Sequence, residues 1–146
     1  MFICNASVKL GEDGRLPERK HAGDAGYDMY VAEEVVIPPL QYRDVPTHIS
    51  VALQSGFCAR IVGRSSTWRK RKLFVMEGII DNGYRGEMFI GVFNFSNEIV
   101  TINKHDRIAQ LIVIPQVYVQ MHDCTEYGLP TSTDGRNERG FGSTGK

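Results

Sequence analysis

Arg136-Asn137-Glu138-Arg139-Gly140-Phe141-Gly142-Ser143-Thr144-Gly145-Lys146 packs more usable chemistry into a short space than any other stretch of this 146-residue chain. Glycines let backbone N–H groups approach an anion closely, and Ser143 and Thr144 add hydroxyl donors. Arg136 can fork onto a phosphate, and Phe141 can stack on a planar ring. Together they make a clamp for a ligand with one flat end and one anionic end, a description that fits a nucleotide. Taken alone, a Gly-rich terminal stretch is more often a solvated tail.

Four other clusters carry groups that could work on such a ligand. In Ala25-Gly26-Tyr27-Asp28, the carboxylate of Asp28 could orient a hydrated metal ion, although an Asp near Gly is usually a turn residue. In Gly63-Arg64-Ser65-Ser66, the serines and the N–H groups of a helical start can hold phosphate oxygens, with Arg64 supplying charge. An ordinary helix cap with a surface arginine is the plain alternative. In Gly78-Ile79-Ile80-Asp81-Asn82-Gly83-Tyr84-Arg85-Gly86, Asp81 could orient or deprotonate a water at the mouth of a hairpin, or simply stand in a turn. In His105-Asp106-Arg107-Ile108-Ala109-Gln110-Leu111, Gln110 could offer an amide to a ligand, and Asp106 and Arg107 could pair on the surface.

The elements that must position these groups read as strands. Segments rich in Val, Ile, Phe and Tyr alternate with Gly, Pro, Asn and Asp clusters. Strands are expected at Phe2–Leu10, Tyr27–Val31, Glu34–Ile37, Ile49–Leu53, Cys58–Val62, Phe74–Met76, Glu87–Phe95, Glu98–Ile102, Arg107–Ile114 and Val117–Met121. Asn82-Gly83 predicts a tight turn between Ile79-Ile80 and Met88–Val92. Ser65–Lys70 suits one short helical turn, capped by Ser65 or Ser66. The expected fold is all-β, a jelly-roll-like sandwich or barrel. One β-domain over residues 1–124 would carry the first four clusters, and an extended arm over residues 125–146 the fifth.

Bulk properties narrow the function classes. Formal net charge is +0, which gives no general attraction to DNA or RNA, so direct nucleic-acid binding is not expected. The 42% hydrophobic content is that of a globular protein. Cys4, Cys58 and Cys124 fit neither a disulfide framework nor a zinc site, and His21, His48 and His122 form no ligand set. With no signal-like or membrane-length apolar run, the expected location is cytoplasmic or otherwise intracellular (nuclear and virus-encoded origins included), not secreted and not at a membrane.

In this order and at this spacing, the five segments resemble the trimeric deoxyuridine triphosphatase (dUTPase) family, from about Ala25 to Lys146. The resemblance implies hydrolysis of dUTP to dUMP and pyrophosphate with Mg²⁺, which keeps uracil out of DNA and supplies the precursor of thymidylate. It implies a homotrimer whose sites draw segments one, two and four from one chain, segment three from a second and the tail from a third. By position, Asp81 is similar to the residue that activates water for attack on the α-phosphorus, and Asp28 to the acid that holds the metal through coordinated water. Arg64, Ser65, Ser66 and Gln110 resemble the phosphate contacts. Main-chain groups around Gly78, Ile79, Ile80 and Phe89 would read uracil, and Tyr84 would pack on the deoxyribose. Phe141 would cover the base, with Arg136, Gly142, Ser143 and Thr144 on the phosphates. Two other readings stay open: a dCTP deaminase relative on the same fold, and a nucleotide-dependent module that binds a protein partner.

Against the family pattern, Thr67-Trp68 stands for the usual Leu-Ala, and Arg69-Lys70-Arg71-Lys72 is unusually basic. Trp68 is expected to fill subunit-interface space, with the neighbourhood of the phosphates as the alternative. The basic run is expected to be a solvated face, with extra attraction for triphosphate as the second choice. His105 replaces a glycine at a turn where His tolerates a left-handed backbone, and Asn137 and Arg139 replace small residues.

Overall fold

Alternation of buried and exposed side chains builds this molecule strand by strand. The structure, a computed structural model, describes residues 3–137. In chain order the elements are β1 (Ala6–Leu10), β2 (Tyr27–Tyr30), β3 (Val35–Ile37), β4 (Tyr42–Pro46), β5 (Ile49–Leu53), β6 (Phe57–Gly63), α1 (Ser65–Arg71), β7 (Leu73–Val75), β8 (Gly78–Ile80), β9 (Phe89–Asn94), β10 (Val100–Ile102) and β11 (Arg107–Pro115). In β5, Ile49, Val51 and Leu53 are buried while Ser50 and Ala52 are not. β9 does the same with Ile90, Val92 and Asn94. This is the period of a sheet with one face against a core.

The strands join antiparallel into a four-stranded sheet in the order β2-β11-β6-β8, a three-stranded sheet β4-β9-β7, and the pairs β1-β5 and β10-β3. Their inner faces meet in one apolar cluster that includes Met29, Ile37, Ile49, Ile61, Leu73, Ile90, Ile102 and Ile108. The architecture is the expected all-β, jelly-roll-like sandwich, with a single short helix among the described residues. No helix among them is long and apolar enough to cross a membrane.

Asn94 is the polar exception in the core. Its side-chain amide donates to the carbonyls of Ile37 (2.9 Å), Pro38 (3.2 Å) and Glu98 (2.8 Å). Its Oδ1 accepts from the backbone N–H and the hydroxyl of Ser96. One buried amide therefore fastens the loop after β9 to the end of β3.

Several elements differ from the sequence expectation. β4 carries Arg43, Asp44 and Pro46 and shows no apolar alternation; it forms because it is the edge partner of β9, and edge strands tolerate Pro and charge. Val117–Met121 has a strand's alternation but no strand: Val117, Tyr118 and Met121 are more than four-fifths exposed, and no strand edge among the described residues pairs with them. The segment Gly78–Gly86 is not a hairpin. β8 joins the sheet of β6, whereas β9 joins the sheet of β4 and β7, so the segment turns a corner between sheets. A tight turn is there, closed by the Tyr84 N–H on the Asp81 carbonyl at 3.0 Å, but Gly83 does not take positive φ as a hairpin turn would require. The Asn82 amide anchors the corner on the carbonyls of Leu53, Gln54 and Phe57. The helix is one residue longer than expected, and neither serine caps it: Arg64 occupies the cap position in extended conformation, with no side-chain cap hydrogen bond.

Replacing Asn94 with alanine would strand buried carbonyls. The expected loss is about 2–4 kcal/mol of unfolding free energy, measured by urea denaturation at fixed protein concentration. A loss below ~1 kcal/mol would show that those carbonyls find other partners.

Candidate functional site

Register places the first half of the site. Asp28 on β2 lies opposite Gln110 on β11, and Gln110 lies opposite Val62 on β6, one residue before that strand ends at Gly63. Three neighbouring strands thus bring Asp28, Gln110 and the Gly63-Arg64 link side by side at one end of the sheet. The loop before β2 is pinned beside them by a bridge in which Asp28 N–H donates to the Glu18 carbonyl at 2.7 Å. The result is a polar cavity of about 280 Å³ lined by Lys20, His21, Asp24, Gly26, Asp28, Arg64, Ser65 and Gln110.

Within it, Asp28 is only 15% exposed and faces two arginines: Arg64 Nε forms an ion pair 2.8 Å from Oδ1, and Arg107 Nη1 donates to Oδ2 at 3.2 Å. Arg64 Nη1 also donates to the Arg107 carbonyl at 3.0 Å. Gln110 Nε2 donates to the Gly63 carbonyl at 3.3 Å. The buried Gly26 makes room for Gln110: a Cβ there would stand 2.2 Å from its Oε1 and 3.0 Å from its Cβ. Below the cavity, Thr67 Oγ1 donates to the Ile108 carbonyl at 2.6 Å, and the same carbonyl accepts the Arg64 N–H at 3.3 Å.

The surface pair expected between Asp106 and Arg107 does not form. Asp106 pairs with Arg71 at 2.7 Å, and Arg107 turns to Asp28. Partial burial pushes the Asp106 carboxyl up, but Arg71 and the N–H of Asn103 outweigh it and hold the group below its ordinary value. Arg107, Lys20 and His21 were not among the expected site residues. The signal for Arg107 was its charge at the mouth of the strand that carries Gln110, but only the register shift in β11 after Arg107 turns it toward Asp28.

The second half lies elsewhere. β8 leaves β6 at Ile80, opposite Ala59, so Asp81 sits beside the start of β6 while Arg64 follows its end. At a rise of ~3.3 Å per residue, roughly five strand residues separate them, about 16 Å. Asp81 is exposed, and Tyr84, Ile79 and Phe89 are 43%, 57% and 47% exposed. Tyr84 is fixed by its hydroxyl, which donates to the Glu87 carbonyl at 2.8 Å. Gly78, Ile79 and Ile80 form the edge strand of their sheet, and their outward N–H and C=O groups meet no other strand among the described residues.

Of the basic run, Arg69 lies over the Trp68 ring, Arg71 holds Asp106, and Lys72 ends the helix with left-handed backbone, φ 58°. His105 takes the left-handed turn expected of it, φ 67°. Trp68 is 56% exposed and borders a cavity of about 220 Å³ together with Arg64 and Ser65. In the arm, the Arg136 N–H donates to Asp134 Oδ1 at 3.0 Å. Phe141, Gly142, Ser143 and Thr144 lie outside the described residues.

Gly26→Ala is expected to swing Gln110 out of the cavity and leave the fold intact. A large shift of the Gln110 side-chain amide resonance, in an otherwise conserved NMR spectrum, is the outcome; an unmoved amide would contradict this packing.

The comparisons with known proteins agree with one another. The dUTPase family model matches residues 12–145. Human mitochondrial deoxyuridine 5'-triphosphate nucleotidohydrolase is 41% identical over 144 residues, covering 95% of this chain and 54% of the human protein, so the chain spans about half the length of that relative. The protein of the same name from Clostridioides difficile is 38% identical, with 94% of each chain covered. The dUTPase of Staphylococcus bacteriophage 80alpha bound to dUpNHpp superposes with a TM-score of 0.89 at 29% identity, over 97% of this chain and 99% of that one. A variant dUTPase from phage phi11 of S. aureus, whose structure concerns coordination of a structural Mg(II) ion, reaches 0.78 at 27% identity, over 82% and 95%. With the dUTPase family model matching residues 12–145, most of its length, this chain belongs to the dUTPase family.

Proposed function

We propose that this protein hydrolyses dUTP to dUMP and pyrophosphate with Mg²⁺, by attack of a water on the α-phosphorus. The observation that carries the reading is the division of the site: a polar cavity holding Arg64, Ser65, Gln110 and Asp28 at one end of β6 and a carboxylate corner at the other. In the first half, Arg64, Ser65 and Gln110 would hold phosphate oxygens, with Ser66 beside them on α1. Such groups stabilise charge on a transferring phosphoryl group most where they are already in place. In the second, Asp81 would orient and deprotonate the water.

The chain's own groups suit a metal held mainly by substrate. Among the described residues no three His, Cys, Asp or Glu side chains come together. A magnesium ion would therefore take its ligands from phosphates and water, which is its usual habit. Asp28 Oδ2 accepts one arginine hydrogen bond and Oδ1 makes an ion pair with Arg64, so both oxygens keep lone-pair capacity for a metal-bound water. Magnesium would supply charge neutralisation on the phosphates.

The edge of β8 supports uracil choice. Free main-chain donors and acceptors along Gly78, Ile79 and Ile80, with Phe89 at the start of β9 nearby, would pair with the uracil edge, and cytosine would reverse both partners. A site built on such hydrogen bonds rejects the mismatched partner by about 10⁴–10⁵. Tyr84 would stand against the sugar, and its fixed hydroxyl keeps the ring in place. Phe141 would stack on the base, a contact of about 1–3 kcal/mol, while Arg136, Gly142, Ser143 and Thr144 close on the phosphates.

Attack requires the water within about 3–3.5 Å of phosphorus. A backbone gap of about 16 Å along β6 separates Asp81 from Arg64 within one chain. This supports a reading in which the Asp81 corner comes from another copy, in a homotrimer with shared sites. The exposed apolar side chains of Phe74, Met76, Ile79 and Phe89, and the unpaired strand pattern of Val117–Met121, fit such an assembly. A second reading, nucleotide-dependent binding of a protein partner, is favoured by the phage 80alpha relatives, which are described as controlling transfer of virulence genes by a G protein-like mechanism.

Pyrophosphate release should be fast with dUTP and at least ~10³-fold slower with dCTP; comparable rates would end the uracil argument. Asp81→Asn should lower kcat by about 10²–10⁴ while leaving thermal stability unchanged. Inactive Asp81→Asn and inactive Arg64→Gln proteins, unfolded and refolded together, should regain part of the wild-type turnover. No recovery, in mixed oligomers shown to form, would place the whole site in one chain.

A further inference from the structure

Arg64 has a second cavity on its other side. It measures about 370 Å³ and lies between α1 and the turn that leads into β11, walled by Arg64, Ser66, Lys70, Arg71, His105 and Arg107 around Asp106. Its charges do not cancel. Arg64 and Arg107 share Asp28, and Arg71 holds Asp106. Lys70 has no side-chain partner among the described residues, and the Ser66 hydroxyl has none either. Four permanent cations thus face two carboxylates, Asp28 and Asp106, and both carboxylates are already occupied. What remains is a concave site with surplus positive charge, an unengaged ammonium and an unengaged hydroxyl.

We propose that this cavity is a second anion site, contiguous with the phosphate cavity through Arg64, and that it takes a phosphoryl oxyanion, either pyrophosphate or free phosphate. The claim that pyrophosphate arrives from the neighbouring cavity rests on the proposed cleavage of dUTP; the binding itself does not. Lys70 supplies the new contact, Arg64 and Ser66 are shared with the proposed dUTP phosphates, and Arg107 lends nitrogens that Asp28 does not use. A dianion or trianion is favoured over a carboxylate because it can meet several of these donors at once. The basic run is thereby divided: Lys70 and Arg71 border the site, while Arg69 packs on Trp68 and Lys72 ends the helix.

The test is calorimetric titration of pyrophosphate, and separately of inorganic phosphate, into the whole protein, free and saturated with dUpNHpp. With the first cavity filled by the analogue, the wild type should still bind one oxyanion per chain. Lys70→Gln should weaken that binding by about 5–30-fold, the effect of losing one charge-assisted contact. Lys72→Gln, outside the cavity, should leave it unchanged. Tighter binding of pyrophosphate than of phosphate supports the site with product as its source, and equal binding supports it with free phosphate. Analogue binding without any Lys70-dependent oxyanion binding, or equal weakening by Lys72→Gln, would overturn it. Failure of the analogue to bind would count against the dUTP reading alone, and the same Lys70 dependence in the free protein would still decide this proposal.

Discussion

The carbonyl of Ile108 carries the site. Ile108 is fully buried in β11, the strand that pairs with both β2 and β6. Its oxygen accepts the Thr67 hydroxyl and the Arg64 N–H, so the start of α1 and the arginine before it hang from the middle of the sheet. The same strand presents Gln110 toward Asp28 and starts with Arg107, which closes on the same carboxylate. Loosening that one backbone oxygen would shift Arg64, Ser65 and Ser66 together relative to Asp28. Groups that stabilise developing charge act best when they need not move, and here the sheet does the holding.

The second constraint is the direction of the chain at β8. Because Gly78–Gly86 turns a corner between sheets, Asp81 and Tyr84 are carried away from the arginine cavity to a face rich in exposed apolar side chains. Asn82 locks that corner with three backbone acceptors, so its shape does not depend on a ligand. The cation-rich cavity beyond Arg64 continues the same design on the near side, since α1 and the β11 turn converge there as well.

Much of the fold could be read from the residues wherever one face is buried. β5 shows its alternation openly, β6 and β11 show apolar segments, and each was expected close to its observed ends. β4 was not legible, because Arg43, Asp44 and Pro46 resemble a loop and become a strand only beside β9. Val117–Met121 failed in the opposite way: alternation describes a capacity to pair, and pairing needs an edge. Asn94 stands at a core position that a polarity pattern assigns to solvent, and only its bonds to the carbonyls of Ile37, Pro38 and Glu98 explain it.

For the site, the residue types themselves announced their chemistry: a carboxylate in a tight turn, an arginine followed by hydroxyls, an amide on a strand. Family membership followed from their order, because order and type are properties of a linear chain. Which of them meet is a property of register. Asp28 lies beside Gln110 and bridges Arg64 and Arg107 only because β2, β11 and β6 align as they do, whereas Asp81 is left far along the same sheet. The amino-acid sequence determined which groups are available and how strands alternate; the tertiary structure decided their distances, since antiparallel register is set by packing across the core and not by neighbours along the chain.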